Sequence, residues 1–239
     1  MMYDPSTVYN LPDILRGNTY PGRGIALGKT PDGVPVAVYF IMGRSVNSRN
    51  RMFIADADDL FIRINDPAKL DDPSLILYRP VRRLEDNLIV TNGDQTDTLY
   101  DVLAQGGTFQ AALDTRRHEP DAPHHTPRIS GLLPLDDGPV LLSVLRAHDA
   151  SGEHCDRLTF AYDLQPGEGR FVHTYLRDGN PLPSFAGEPA WIRIPSDIET
   201  FAGEVWRSLN ADNRVALYVR QMDKSPCCVF NRHIQGENP

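Results

Sequence analysis

The chain has 239 residues, of which 41% are hydrophobic, enough apolar material for one compact domain with a sizeable core. A formal net charge of −8 excludes broad electrostatic attraction to nucleic acid or anionic lipid, so any anion must be bound locally. No apolar run approaches the roughly 18 residues of a membrane span, and the N-terminus lacks the layout of a signal peptide, so we expect a cytoplasmic protein.

The first part of the chain predicts antiparallel strands. The segment GIALGKTPDGVPVAVYFIMG predicts two strands, Gly24–Gly28 and Val34–Gly43, joined by a turn at Pro31–Gly33. The stretch MFIADADDLFIRIND predicts a third, irregular strand. The stretch LILYRPVRRLEDNLIVTNG predicts two more strands around a turn at Glu85–Asn87, and Pro80 suggests an edge or a bulge. We therefore expect the N-terminal half to begin as one sheet.

Two helices follow. In DQTDTLYDVLAQGG the apolar residues Leu99, Val102 and Leu103 fall at helical spacing, and Gly106 is a stop signal. Thr108 can cap the second helix, in TFQAALDTRRHE. The next stretch, PDAPHHTPR, contains three prolines and predicts a shaped loop.

The second half predicts a second antiparallel sheet. The runs ISGLLPL, PVLLSVLRAH, RLTFAYDL and RFVHTYLRDG are strand-like and are separated by turn clusters. The segment PSDIETFAGEVWRSLN predicts a helix capped by Ser196 or Asp197, and NRVALYVRQ predicts a last strand. Two half-apolar sheets with amphipathic helices favour an α+β fold in which the sheets stack and the helices cover their outer faces.

The stretch GRSVNSRNR, Gly43–Arg51, concentrates cationic and polar side chains directly after an apolar strand. Its polar members are Arg44, Ser45, Asn47, Ser48, Arg49, Asn50 and Arg51. Guanidinium forks with hydroxyls and amides are typical of a phosphate or carboxylate clamp. A solvated arginine loop that pairs with nearby acids is the competing interpretation, and both stay open.

A second polar cluster lies in VTNGDQTDT, where a strand leads into a helix. Its members are Asn92, Gly93, Asp94, Thr96 and Asp97. The N-terminus of a helix offers free amide donors and a favourable dipole to an anion. Asp and Thr are also ordinary helix caps, and the sequence favours capping alone.

A third cluster lies in RRHEPDAPHHTPRI. Its members are His118, Glu119, Asp121, His124, His125 and Arg128. No HxH or HExxH spacing is present, so no metal site is predicted. The favoured interpretation is a carboxylate held between arginines, with Glu119 as acid or base and Arg128 as an anion contact. Whether Glu119 or Asp121 faces the ligand stays open, as do the roles of the three histidines.

Tyr78, in LILYRPV, is a fourth candidate because its phenol could donate a hydrogen bond into a pocket, although a half-buried strand tyrosine is the simpler interpretation. The patterns GxGxxG, GxxxxGK[ST] and GxSxG are absent from the sequence. Dinucleotide, P-loop and serine-hydrolase chemistry are therefore disfavoured.

Taken in order, GRSVNSRNR, LYRPVR, VTNGDQTDT and HEPDAPHHTPRISG resemble the archaeal-type IMP cyclohydrolase family, over Gly24–Gly131. The resemblance implies an N-terminal-nucleophile-hydrolase-like fold, a four-layer αββα sandwich of two stacked antiparallel sheets flanked by helices. It also implies an N-terminal extension at residues 1–20 and a single domain at residues 21–239.

The implied reaction is the closure of a formamido-imidazole-carboxamide ribonucleotide to inosine 5′-monophosphate, catalysed by a hydrolase that acts on carbon–nitrogen bonds in cyclic amidines. The resemblance assigns Arg44 and Tyr78 to the formyl oxygen and Glu119 to proton transfer. The implied contacts to the purine ribonucleotide substrate are Ser45, Arg49, Arg51, Asn92, Gly93, Thr96, Asp97 and Arg128. No cofactor is implied, and a homo-oligomer is expected.

Two other functions are compatible with these residues. One is a cyclase or amidohydrolase that acts on another phosphorylated heterocycle. The other is a nucleotide-binding module without catalysis, although Tyr78 and Glu119 would then be unnecessary.

Overall fold

The computed structural model describes residues 3–69, 78–224 and 226–234. The helices in this part of the chain are α1 (Leu11–Arg16), α2 (Val46–Arg49), α3 (Gln95–Ala104), α4 (Phe109–Asp114) and α5 (Ile198–Ser208), with a 3-10 turn at Pro67–Lys69. The strands are β1 (Arg23–Lys29), β2 (Pro35–Met42), β3 (Arg51–Asp56), β4 (Asp59–Ile64), β5 (Val81–Leu84), β6 (Asn87–Thr91), β7 (Arg128–Pro134), β8 (Val140–Ala147), β9 (Cys155–Tyr162), β10 (Glu168–His173), β11 (Ala190–Arg193), β12 (Arg214–Gln221) and β13 (Cys228–Asn231). None of these helices is long and apolar enough to cross a membrane.

The strands form two antiparallel sheets. One sheet has the order β11-β10-β1-β2-β12-β13, and the other has the order β3-β4-β5-β6-β7-β8-β9. Side chains alternate along each strand. In β2, Ala37, Tyr39 and Ile41 belong to the core that both sheets share, whereas Val38 and Phe40 belong to a core on the opposite face. The predicted α+β class with two stacked sheets is confirmed.

Helices cover both outer faces of the sandwich. Leu11 of α1 and Phe201 of α5 pack with the outer face of the six-stranded sheet. Leu99 of α3 and Phe109 of α4 pack with Ile89 of the seven-stranded sheet. The molecule therefore has four layers, and these four helices are amphipathic because each buries only the face directed at a sheet.

The predicted allocation of strands to the sheets is wrong. Strands β1 and β2 pair with each other as predicted, but this hairpin does not join β3 to β6, because β1 pairs on its other side with β10 and β2 with β12. Strands β7 to β9 instead extend the sheet that begins with β3. Alternation of apolar residues defines which face of a strand is buried, but it carries little information about which strand lies beside it.

The predicted single strand in MFIADADDLFIRIND is also wrong, because this stretch forms the hairpin β3–β4. Asp56 pairs with Asp59, and Ala57 has a left-handed φ of 50° between them. Two-residue hairpin turns require such positive φ values, and the sequence has no glycine there to signal the turn. The strand predicted at LILY falls mostly outside the described residues, and Tyr78 itself lies outside any strand.

The caps predicted for the later helices are confirmed. The Thr108 side chain accepts a hydrogen bond from the backbone N–H of Ala111 at 3.1 Å, at the start of α4. Asp197, rather than Ser196, caps α5 by accepting from the backbone N–H of Thr200 at 3.0 Å.

The predicted N-terminal extension packs against its own chain in its described part. Leu11 and Leu15 are buried beneath α5, and Tyr9 forms a parallel bridge with Ile192 of β11. The Tyr3 hydroxyl lies 2.6 Å from Nε2 of His173 at the end of β10. Residues 3–20 therefore complete one outer face of the six-stranded sheet.

A close approach of the two sheets at Gly131 gives a test of their packing. A Cβ atom on Gly131 of β7 would lie 2.7 Å from Cδ1 of Leu27 on β1. We expect Gly131→Ala to lower the free energy of unfolding by about 1–3 kcal/mol through overpacking, and Leu27→Ala to lower it by about 2–5 kcal/mol. The loss of free energy of unfolding in the double variant should be smaller than the sum of the two single losses. Urea titrations should give a coupling energy of about 0.5–3 kcal/mol.

The matched control pairs Gly131→Ala with Leu113→Ala, which removes a buried side chain from the cluster under α3 and α4. The effects of these two substitutions on the free energy of unfolding should add to within about 0.5 kcal/mol, because the two sites share no contacting residue. Additivity in both cycles would contradict the inter-sheet contact.

Candidate functional site

Buried charged side chains gather at one end of the sandwich. Arg23 begins β1, Arg51 begins β3 and Arg128 begins β7, while Glu119 lies in the loop that leads to β7. Arg51, Glu119 and Arg128 are only 1%, 4% and 6% exposed. Burying charge is unfavourable unless opposite charges or hydrogen bonds compensate, so this concentration of ions in a small space marks a candidate site.

Glu119 and Arg23 are electrostatically coupled. Burial raises the pKa of Glu119, although the positive charges of Arg23 and Arg128 oppose that shift. Burial alone would lower the pKa of Arg23, but the nearby Glu119 carboxylate and Tyr175 raise it overall. Nε of Arg23 is buried without a hydrogen-bond partner among the described residues. Glu119 can therefore exchange a proton closer to neutral pH than an ordinary glutamate, beside a permanently charged guanidinium.

Two phenols lie beside these ions. The hydroxyls of Tyr39 and Tyr78 are 2.7 Å apart, and both side chains are buried. Burial raises the pKa of Tyr78, while the charges of Arg23 and Arg51 oppose the shift. A hydrogen bond between two hydroxyls uses only one of their protons, so the pair keeps one O–H to donate to a third group.

Asp121 is held differently from Glu119. One carboxylate oxygen of Asp121 accepts from the backbone N–H of Thr126 at 2.6 Å, and the other bonds the Thr126 hydroxyl. The same hydroxyl lies 2.6 Å from the hydroxyl of Tyr175, whose pKa burial raises to about 12. Because both oxygens of Asp121 contact Thr126, this carboxylate fixes the loop before β7 and joins it to the end of β10.

Arg128 is oriented from the start of α3. Its Nη1 donates to Oε1 of Gln95 and contacts Oδ1 of Asp94, both at 2.6 Å. Burial opposes ionisation of Asp94, but the bond from Arg116 and the charge of Arg128 outweigh it and lower the pKa of Asp94. The Asp94 side chain makes no capping hydrogen bond, so the interpretation of this aspartate as a simple helix cap is wrong.

Asn92, Gly93 and Thr96 support this arrangement. The Asn92 side chain donates to the carbonyl of Pro127 at 2.9 Å and accepts from the backbone N–H of Ile129 at 2.8 Å. The Thr96 hydroxyl lies 3.0 Å from the carbonyl of Gly93. Asp97 instead points to the surface, where its carboxylate pairs with Arg82 at 2.6 Å and with Arg79 at 3.2 Å.

The motif GRSVNSRNR divides its arginines among three places. Arg51 is buried in the charged cluster, with Nε donating to the carbonyl of Ser48 at 2.9 Å. Arg49 is tied to its own chain, where Nε donates to the carbonyl of Gly43 at 2.8 Å. Arg44 lies at the rim, pairs with Asp178 at 2.8 Å and stacks 5.1 Å from the ring centre of Tyr20.

The remaining polar residues of this motif shape its backbone. Ser45 and Ser48 form a reciprocal capping box around the four-residue helix α2, with N–H to hydroxyl distances of 2.9 and 3.0 Å. The box turns the chain sharply between the end of β2 and the start of β3, and this turn directs Arg51 inward.

The structure thus brings Arg51, Tyr78, Glu119 and Arg128 together and leaves Asp97 outside. Sequence reasoning missed Arg23, Tyr39 and Tyr175. Arg23 could have been identified as a candidate site residue from its position at the start of the first predicted strand, in PGRGIALG. Tyr39 was a lone hydroxyl in the apolar run VAVYFIM. In the described ranges, no three His, Cys, Asp or Glu side chains are arranged to hold a metal ion.

The raised pKa of Glu119 predicts a distinct pH dependence of stability. Because the folded protein binds this proton more tightly than the unfolded chain, the stabilisation is fully present below the unfolded pKa of about 4.3. It is lost as pH rises through the higher folded pKa. Relative to Glu119→Gln, the wild type should therefore lose free energy of unfolding as the pH rises above the unfolded pKa of about 4.3 in urea titrations. The control is Glu204→Gln, at an exposed position on α5, which should show the same pH dependence of the free energy of unfolding as the wild type. Equal pH profiles for Glu119→Gln and Glu204→Gln would contradict the prediction.

Comparison with known proteins identifies the family. The model of the IMP cyclohydrolase-like protein family matches residues 20–225. An IMP cyclohydrolase of Methanopyrus kandleri is 34% identical over 46% of this chain and 57% of its own length, less than two thirds of that relative. Those of Methanothrix thermoacetophila and Methanocaldococcus jannaschii are 30% and 27% identical, over 72% of this chain and 81% and 82% of their own lengths. The match across most of the chain shows that this protein belongs to the IMP cyclohydrolase-like family.

Proposed function

We propose that the protein is an IMP cyclohydrolase, which closes the formamido-imidazole-carboxamide ribonucleotide to inosine 5′-monophosphate. The family and the names of its relatives support this hydrolase activity. The observation that carries the proposal is the buried Glu119 carboxyl beside Arg23 and the Tyr39–Tyr78 pair, because it combines a proton carrier with fixed donors.

The reaction has two demands. The carboxamide nitrogen attacks the formyl carbon, a carbon–nitrogen bond forms, and negative charge grows on the formyl oxygen. That oxygen then takes up two protons from the nitrogens and leaves as water. The site must therefore donate hydrogen bonds to the oxygen and carry protons from nitrogen to oxygen. Holding the reacting atoms together can lower the activation barrier by roughly 7 kcal/mol or more. The reaction therefore needs no reactive nucleophile and no cofactor.

Glu119 meets the second demand. As a carboxylate it accepts a proton from the attacking nitrogen, and as a carboxylic acid it returns the proton to the departing oxygen. Its raised pKa makes both forms accessible in turn, and the charges of Arg23 and Arg128 keep the ionised form attainable. We assign the role to Glu119 rather than Asp121 because Thr126 already occupies both oxygens of Asp121.

The donors lie close to that carboxyl. We assign Tyr78 as the donor to the formyl oxygen, supported by Arg23 and Arg51, whose charges act on this phenol.

Arg44 was expected to share that role, but its exposed position beside Asp178 favours a contact to the ribose at the rim of the site. The backbone turn set by Ser45 and Arg49 orients Arg51, and residues 92–96 orient Arg128 toward the substrate. Asp97 lies outside this pocket. A homo-oligomer and a cytoplasmic location stay predictions.

The assay follows formation of inosine monophosphate by absorbance from the formamido ribonucleotide. Tyr78→Phe and Glu119→Gln should each lower kcat by about 10²–10³, because each removes one group that acts in the transition state. Glu204→Gln should retain the wild-type rate. Folded variants that retain full turnover would contradict these assignments. A wild type that binds inosine monophosphate without turnover would favour a non-catalytic nucleotide-binding module, and turnover confined to another phosphorylated heterocycle would favour the alternative cyclase.

Gly93 gives a separate test of the Arg128 position. A Cβ atom at Gly93 would overlap Nη1 of Arg128 and lie 2.6 Å from Oε1 of Gln95, so Gly93→Ala should displace the guanidinium. One charge-assisted hydrogen bond of roughly 1.5–3 kcal/mol corresponds to a rise of about 10- to 100-fold in KM. Gly17→Ala is the matched control, because its Cβ would meet its nearest neighbours at 3.5 and 3.6 Å. Equal KM values for the two variants would exclude Arg128 as a substrate contact.

A further inference from the structure

His173 is a buried histidine to which the proposed reaction assigns no role. It ends β10, is 1% exposed and packs against the rings of Phe171 and Phe185, whose centroids lie 5.1 and 5.0 Å from its own. Burial lowers the pKa of His173 to about 4, so the ring is neutral at neutral pH. A neutral imidazole has one N–H donor and one acceptor nitrogen, so its two hydrogen bonds run in opposite senses.

The two partners of His173 define its tautomer. Nδ1 lies 2.8 Å from the backbone carbonyl of Tyr175, which can only accept, so Nδ1 carries the hydrogen. Nε2 is then the acceptor, and the Tyr3 hydroxyl donates to it at 2.6 Å. Tyr3 lies outside residues 20–225, the stretch that the family model matches. A residue of the N-terminal segment therefore fixes the ring of a histidine within the matched stretch.

The connection continues from His173 to the Glu119 loop. The Tyr175 hydroxyl lies 2.6 Å from the hydroxyl of Thr126, which donates its own hydrogen to the Asp121 carboxylate. Tyr175 is therefore the donor to Thr126. The backbone N–H of Glu119 in turn donates to the carbonyl of Thr126 at 2.9 Å. The hydrogen bonds on the backbone and side chain of Tyr175 thus connect Tyr3 to the loop that carries Glu119.

The same turn also holds Arg23. His173 pairs with Gly24 in the ladder between β10 and β1. The backbone N–H of Thr174 donates to the carbonyl of Arg23 at 3.0 Å, and the backbone N–H of Arg23 donates to the Thr174 hydroxyl at 3.1 Å. Because misplacing a reacting group by about 1 Å can cost about 100-fold in rate, a contact that fixes this turn can control turnover from outside the site.

We propose that Tyr3 and His173 are positioning residues for the proposed reaction: the Tyr3 hydroxyl holds the His173 ring, and His173 holds the turn at residues 173–175 against the Glu119 loop. The inference rests on the proposed function, since it concerns the placement of the same carboxyl group. Both side chains act through Tyr175 and Thr126, whose hydroxyls bond each other. The N-terminal segment is then part of the catalytic unit as well as a cover for the sheet.

Kinetics of conservative variants test this connection. Tyr3→Phe removes only the hydroxyl and should lower kcat about 3- to 10-fold, the loss expected for one hydrogen bond, with KM changed by less than about twofold. His173→Leu removes both bonds of the ring and should lower kcat about 10- to 100-fold. In the His173→Leu background, Tyr3→Phe should have no further effect on kcat, because Tyr3 acts only through His173.

The matched control is Tyr9→Phe, which removes a phenol hydroxyl from the same N-terminal segment. That hydroxyl accepts from the backbone N–H of Asp4 at 3.0 Å, so its bond stays within the segment. Tyr9→Phe should keep the wild-type kcat and KM. A purely structural role for Tyr3 would lower the unfolding midpoint and leave kcat of the folded variant unchanged. That outcome would overturn the inference, as would equal kcat losses for Tyr3→Phe and Tyr9→Phe or losses that multiply in the double variant.

A second measurement does not require turnover. The pKa of Glu119 is read from its carboxyl carbon resonance in isotope-labelled protein, assigned by its absence from Glu119→Gln. Because burial raises this pKa, loosening the loop should shift it toward about 4.3 in Tyr3→Phe and His173→Leu and leave it unchanged in Tyr9→Phe. A Glu119 pKa that stays at the wild-type value in all three variants would refute the positioning role.

The two proposals fail in different ways. If the wild type does not turn over the formamido ribonucleotide but Tyr3→Phe shifts the pKa of Glu119, the cyclohydrolase assignment fails and the positioning role stands. If the wild type turns over and Tyr3→Phe keeps both the wild-type kcat and the wild-type pKa of Glu119, the positioning role fails and the cyclohydrolase assignment stands.

Discussion

The attraction between Glu119 and its neighbouring arginines is the constraint on which the site depends. A carboxyl group that is 4% exposed would be neutral in apolar surroundings, and buried guanidinium groups would repel one another without it. Arg23 and Arg128 begin strands in different sheets, so both layers of the sandwich supply charge to one carboxyl. The fold therefore sets the electrostatics of the site through the spacing of its sheets.

The sequence predicted α3, α4, α5 and most strands because their apolar residues recur with the right period and because caps such as Thr108 and Asp197 are explicit. It did not predict the short helices α1 and α2. It could not predict that β1 pairs with β10, because hydrogen bonds between backbones leave no mark on side-chain type. The β3–β4 turn was missed for a related reason, since Ala57 adopts a positive φ without a glycine.

Site residues were predictable where polar groups break an apolar pattern or cluster in a loop, as Glu119 and Arg128 do. Arg23 and Tyr39 are single polar residues outside the polar clusters, and only the three-dimensional arrangement brings them near Glu119 and Tyr78. The inward direction of Arg51 and the outward direction of Arg44 likewise follow from the α2 turn, which depends on reciprocal bonds between two serines. Local composition indicated an anion site, but only the backbone determines which arginines face it.

Tyr39 belongs at once to the shared core of the two sheets and to the hydroxyl pair with Tyr78. Its ring also stacks on Phe53 of the opposite sheet, with centroids 5.5 Å apart. Redesign of the interior to make this protein more heat-resistant would therefore also move the Tyr39–Tyr78 hydroxyl pair to which we assign a catalytic role. Under the proposed function, the Tyr39 side chain contributes both to packing between the sheets and to the site, so stabilising the protein without changing turnover requires leaving Tyr39 in place.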